Sequence, residues 1–212
     1  LLRFLHLAAS DLLTGHGADQ QLEPVGYIFL HHRVGLAGEQ SAEGDVPRVA
    51  VTEQLGDRVL PLRDIAFATL DPLGSRDLDQ AFHLERRDAG HTVRYAIADV
   101  PGFVAPGGAV DTEARRRGQT LYAADGTIPL HPKVLSEDRA SLLADVDRPA
   151  LVWTFSLDPA GIVEEFRLER ALIRSHAQLD YATTQTALDR GEGGPAALLP
   201  EIGALRIEQE KL

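Results

Sequence analysis

Three carboxylates, Asp71, Asp77 and Asp79, fall within nine consecutive residues, in the segment Asp71-Pro72-Leu73-Gly74-Ser75-Arg76-Asp77-Leu78-Asp79-Gln80. They follow the apolar run Ile65-Ala66-Phe67-Ala68-Thr69-Leu70, which reads as a buried strand, and Pro72-Leu73-Gly74 supplies the turn that ends it. In an extended stretch Asp77 and Asp79 face one side, because strand side chains alternate with period two, and the turn can return Asp71 beside them. Hard divalent cations such as Mg2+ take oxygen ligands, commonly one or two carboxylates completed by water and substrate phosphate. Such a site polarises a phosphodiester and lowers the pKa of bound water. Spacing alone does not separate this from a solvated loop, since Asp is a favoured turn and cap residue and Arg76 can pair with a neighbour.

The elements that would hold these carboxylates are short strands alternating with turns and helices from about residue 60. Val93 to Val100 reads as a second strand, ending at Asp99 before Pro101-Gly102, where Asp99 caps the turn. Residues 111 to 122 read as a helix, with Asp111 and Thr112 as caps and Glu113 in the first turn. Leu151 to Leu157 is a third strand, Asp158-Pro159-Ala160-Gly161 a turn, and Ile162 to Ile173 its returning partner. Another helix starts at Tyr181, runs to Leu188 and breaks over Arg190 to Pro195. Upstream, residues 1 to 13 form an amphipathic helix, and 25 to 36 and 46 to 51 two short strands. Those residues leave a winged helix and a small nucleic-acid-binding barrel equally open. The expected organisation is an accessory segment, residues 1–60, followed by an α+β catalytic domain, residues 61–212, built on a mixed β-sheet flanked by helices.

Thr69-Leu70-Asp71-Pro72 through Asp79-Gln80-Ala81-Phe82 resembles the signature of the ribonuclease II/R family. Further stretches match in order: Ala96 to Val100; Val110 to Ala114 with Arg117 to Tyr122; Ile128 to Pro132; Leu135 to Leu142; and Arg174 to Tyr181. The resemblance implies processive 3′-to-5′ hydrolysis of single-stranded RNA to nucleoside 5′-monophosphates with Mg2+, for which Mn2+ can substitute. It implies that Asp71, Asp77, Asp79 and Gln80 hold the metal and that Asp77 and Asp79 are catalytic, Asp79 most of all. Tyr122 would stack near the 3′-terminal base and set the length of the final product, Tyr181 would contact RNA further along, and Arg117 would touch phosphate. Aromatic stacking suits a sequence-independent enzyme, because every base has a π-face. The family carries a fourth aspartate where this chain has Gln80, whose carbonyl can ligate a cation without adding negative charge. The family's catalytic domain also runs well past residue 212.

Composition trims the alternatives. There is no cysteine, which removes disulfides, thiolate zinc sites and cysteine nucleophiles, so a metal must sit on oxygen or imidazole. No apolar run approaches the ~20 residues of a membrane-spanning helix, and no Gly-rich loop precedes a helix to cradle a nucleotide cofactor; a cytoplasmic protein with no membrane partner is expected. The net charge of -11 opposes nucleic-acid binding. The positive side chains are nearly all arginine, however, with Lys133 and Lys211 the only lysines, and the guanidinium fork clamps phosphate well. His31, His32 and His131 lack partners at metal spacing, and Arg115 and Arg116 read as a solvated helical face. Two rival functions stand beside the nuclease: a catalytically impaired RNA-binding relative, motivated by Gln80 and the acidic charge, and an unrelated metal-dependent hydrolase.

Overall fold

The computed structural model describes residues 59–123 and 126–210. The helix expected over residues 1–13, the strands across 25–36 and 46–51, and His31 and His32 lie outside the described residues. In chain order the elements are β1 (Leu60–Asp71), β2 (Gln80–Arg86), β3 (His91–Ala98), α1 (Ala109–Arg117), β4 (Leu121–Ala123), β5 (Gly126–Ile128), β6 (Asp147–Leu157), β7 (Val163–Asp180), α2 (Tyr181–Asp189) and α3 (Leu199–Glu210). Among these helices none is long and apolar enough to cross a membrane.

The mixed sheet is closed. β1, β2, β3, β6 and β7 form a barrel in that order, every pair antiparallel except β1 with β7, whose parallel ladder runs from Leu60 opposite Ala171 to Asp71 opposite Asp180. Closure of so few strands leaves a narrow interior. One core cluster draws on all five strands: Phe67, Ala81, Ala96, Ala98, Ala150, Val152, Ala171 and Ile173, joined by Leu142. Its many alanines are what lets the wall close without voids. Residues of opposite parity, Ala68, Leu70, Phe82, Val93 and Leu157, form a second cluster with Ala196, Leu199 and Ile202, so α3 seals the outer face. At one turn the backbone demands glycine. Gly90 joins β2 to β3 with φ +89°, and a Cβ there would lie 2.0 Å from the Leu157 carbonyl oxygen.

Three expectations shift. The helix expected over 111–122 spans Ala109–Arg117, because Gly118 at φ +77° donates its N–H to the Ala114 carbonyl (2.8 Å) and ends it. Tyr122 therefore lies on β4, in a hairpin with β5, rather than on a helix. Asp111 is in the first turn rather than at the cap, where its carboxylate takes the Gly107 N–H at 2.8 Å and Arg115 Nε at 3.0 Å. Asp99, 1 % exposed, caps no turn through its side chain and instead forms a 2.7 Å ion pair with Arg170 of β7. β2 and α3 arise in stretches without a distinct sequence pattern, and β7 continues to Asp180, past the expected end at Ile173.

Candidate functional site

The acidic segment is an irregular loop between β1 and β2, held at both ends and in the middle. Asp71 is the last residue of β1, opposite Asp180 on β7. The Pro72 carbonyl accepts the Ser75 N–H (3.1 Å), closing the turn that follows. Asp79 immediately precedes β2, and its carbonyl accepts the Ala98 N–H (2.9 Å), so the β2–β3 ladder begins there. Between them Leu78 is fully buried and acts as the anchor. Its N–H donates to Ser141 Oγ (3.1 Å) and its carbonyl accepts from Leu142 N–H (2.8 Å), while Ser141 Oγ–H donates to the Arg76 carbonyl (2.6 Å). From β7, Gln178 Nε2 reaches the Ser75 carbonyl at 2.8 Å. With Leu78 turned into the core, Asp77 and Asp79 on either side of it fall to the opposite side.

The three carboxylates feel one another. Burial raises the Asp71 carboxyl to about 7, with the charges of Asp79 and Asp77 adding to the rise. Asp79 is raised to about 6, again first by burial, offset by a hydrogen bond from Gln80 and increased by Asp77. Gln80, the first residue of β2, donates Nε2–H to Asp79 Oδ1 at 3.2 Å. That orientation leaves Gln80 Oε1 buried with no donor to satisfy it. Tyr122, 58 % exposed, still has its phenol raised by partial burial and by the charges of Asp77 and Asp79.

A residue that the sequence reading did not single out belongs to this neighbourhood. Tyr95 on β3 is 3 % exposed, and its phenol is pushed well above its ordinary value by burial and by Asp79 and Asp71. The β2–β3 pairing, which sets Tyr95 opposite Phe82, brings it to this end of the sheet. Ser141 was likewise not singled out. Tyr181 opens α2 one residue beyond Asp180 and packs on the core cluster around Leu70 and Leu199. The Arg115, Arg116 and Arg117 side chains all pair within α1, the first with Asp111 and the other two with Glu113. His131 is buried.

Among the described residues no group of three or more Asp, Glu or His side chains forms a ready-made metal cage. The donors present are oxygens throughout: two carboxyls whose proton affinity is raised by burial and by neighbouring aspartates, a third carboxylate, and a buried amide oxygen with no donor among the described residues. That set fits a hard divalent cation, which takes one or two carboxylates and completes its shell with water and phosphate.

A family model described as the RNB domain matches residues 60–206. Human exosome complex exonuclease RRP44 is 35% identical over 129 residues, covering 60% of this chain and 14% of that protein. Ribonuclease R of Escherichia coli is 33% identical over 153 residues, covering 71% of this chain and 19% of that protein. The chain thus spans less than a fifth of the length of either relative. Among solved structures, Mycoplasma genitalium RNase R in complex with double-stranded RNA superimposes with a TM-score of 0.67 at 21% identity, covering 99% of this chain and 35% of that one. Yeast Ssd1, a pseudonuclease, superimposes with a TM-score of 0.58 at 19% identity, covering 68% of this chain and 18% of that one. At those identities the two structures speak for the fold alone.

Proposed function

Because the chain belongs to the RNB domain family, whose model matches residues 60–206, we propose that it is the first part of the catalytic domain of a Mg2+-dependent exoribonuclease that hydrolyses single-stranded RNA from its 3′ end. The observation that carries the reading is the acidic loop itself. Burial and the neighbouring carboxylates raise the proton affinity of Asp71 and Asp79, beside an amide oxygen that no donor among the described residues satisfies.

In this reading Asp71 and Asp79 bind the cation directly, with Asp77 and Gln80 Oε1 as further ligands or as acceptors for its waters. The bound cation supplies electrostatic stabilisation of the phosphate and a water of lowered pKa. Gln80 Nε2 fixes the Asp79 carboxylate against rotation. Tyr122 offers a stacking face for the base at the 3′ end, and Tyr181 contacts the strand further along. The buried anchor at Leu78 holds the loop while substrate charge arrives.

Full-length protein incubated with 5′-labelled poly(A) and Mg2+, with and without EDTA, tests this. A ladder that shortens to a small core and is abolished by EDTA is the expected result. A second reading, an RNA-binding relative that has lost cleavage, is favoured by Gln80 standing where the family carries an aspartate and by the lack of a preformed three-ligand cage among the described residues. Intact RNA with a retarded gel band would establish it. Equal turnover of DNA or small phosphoesters would point instead to an unrelated metal-dependent hydrolase.

A further inference from the structure

Arg117 is the last residue of α1, and its guanidinium makes two bonds in different directions. Nε–H donates to Glu113 Oε1 one turn back along the helix at 2.8 Å, and Nη1–H donates to the Pro129 carbonyl at 2.6 Å, just past β5. On the other flank of the hairpin, the Leu130 N–H donates to Thr120 Oγ1 at 3.0 Å. These bonds hold the base of the hairpin; the six described residues of β4 and β5 are all exposed, Tyr122 at 58 %. A two-strand ribbon with no buried face is marginal by itself. What sets its direction is therefore the base.

We propose that Arg117 is a positioning residue, a strut between α1 and the β4–β5 hairpin that sets the direction of the ribbon carrying Tyr122, and that it acts through Tyr122 rather than on RNA phosphate. Two of its five N–H groups are taken by a carboxylate and a carbonyl that lie in different directions, which fixes where the guanidinium points. A lysine cannot replace it, because an ammonium on a flexible stem lacks the planar fork that spans two acceptors at fixed angles. The charges of Asp77 and Asp79 bear on the Tyr122 phenol. The catalytic consequence rests on the exoribonuclease reading; the strut itself does not.

The test uses full-length protein carrying Arg117→Met, Arg117→Lys, Tyr122→Ala or the Arg117→Met/Tyr122→Ala pair, with Glu113→Gln as a milder variant that removes one acceptor. Amide hydrogen exchange at Leu121, Tyr122, Thr127 and Ile128 should quicken about tenfold in both Arg117 variants, the loss expected of one charge-assisted hydrogen bond, with less change in Glu113→Gln. Exchange in β1 to β3 should stay as in the wild type. The rate constant kcat/KM on single-stranded RNA should fall alike in the Met and Lys variants, and Arg117→Met should change it less than about twofold once Tyr122 is alanine, the non-additivity of residues that act as a unit. The slope of log affinity against log salt should not change. Unchanged hairpin exchange would overturn the strut. So would rescue by lysine with a salt slope reduced by about one in Arg117→Met, the mark of a lost phosphate contact. If Tyr122→Ala turns over RNA like the wild type, the functional reading of Tyr122 fails, and the exchange rates alone decide the strut.

Discussion

The acidic loop carries the carboxylates and the β4–β5 hairpin carries Tyr122, whose phenol Asp77 and Asp79 raise, yet the two are built in opposite ways. The loop is irregular in backbone but tied down by a fully buried leucine, whose N–H donates to the Ser141 hydroxyl and whose carbonyl accepts the Leu142 N–H, and by Gln178 from β7. The hairpin has regular pairing but no buried residue among those described, and is fastened through side chains at its base. Regular hydrogen bonding therefore does not identify the rigid part of this molecule; burial of the anchors does. The proposed chemistry needs this division, with carboxylates fixed to a fraction of an ångström and a stacking face that tolerates any base.

The comparison is broken most severely at the loop. Replacing Asp79 with asparagine removes the charge while keeping the shape, and should lower RNA hydrolysis by about a thousandfold or more, with RNA binding in a gel-shift assay nearly unchanged. Turnover at the wild-type rate would remove Asp79 from the chemistry. Leu78→Ala acts on the anchor instead: truncating a fully buried leucine should destabilise the domain by about 3 kcal/mol in chemical denaturation. Ser141→Ala, which leaves the Leu78 N–H without its side-chain acceptor, should cost about 1–2 kcal/mol. If either variant unfolds like the wild type, the loop is not held as its geometry indicates.

Acidity sharpens the contrast, because the loop has raised carboxyls and the hairpin's base has a lowered one. Asp71 at about 7 and Asp79 at about 6 bind protons more tightly in the folded chain than at their ordinary 3.8. Between pH 4 and 7 the folded state then holds more protons than the unfolded, so their contribution to metal-free stability is complete below about pH 4 and disappears as pH rises through about 7. Across that window the loss is on the order of a few kcal/mol. Metal must displace those protons, so Mg2+ or Mn2+ affinity should rise from pH 5 to pH 8. Thermal melts with EDTA at the two pH values, and calorimetric metal titrations, check both directions; Asp71→Asn should flatten each. Glu113, by contrast, is held down to about 2 by hydrogen bonds from Arg116 and Arg117. It stays ionised throughout this range, so hairpin exchange corrected for intrinsic rates should not follow the pH dependence of the loop.

How far the sequence foretold this site depends on whether the cause was local. Asp71, Asp77 and Asp79 were legible because a strand, a Pro-Gly turn and a period-two pattern all lie within one stretch, and α2 because Asp180 caps it, accepting the Thr183 N–H at 3.0 Å. The helix stop at Gly118 was available in principle, as a glycine after a run of arginines, but the apolar Leu121 and Tyr122 continued the helical pattern and hid the hairpin. Tyr95, Ser141 and Gln178 were not legible, since Tyr95 depends on the register of β3 against β2, Gln178 on the β1–β7 ladder that closes the barrel, and Ser141 on a contact more than sixty residues away. Asp99 misled because Asp before Pro reads as a turn, whereas the charge is consumed by Arg170, seventy-one residues on.

The smallest expected effect on stability is the most informative about the hairpin. Tyr122 is 58 % exposed and shares the surface with Leu121 at 48 % and Ile128 at 55 %, so truncating it removes little buried area. Tyr122→Ala should therefore move the denaturation midpoint by no more than the ~0.5 kcal/mol usual for surface substitutions, while RNA turnover falls through loss of a stacking contact worth about 1–3 kcal/mol per base. Tyr122→Phe keeps the ring and should keep the activity, which separates stacking from any role of the hydroxyl. A destabilised Tyr122→Ala protein would mean that the ring packs against other parts of the fold, and the hairpin would then be a piece of the scaffold rather than an arm carried by it.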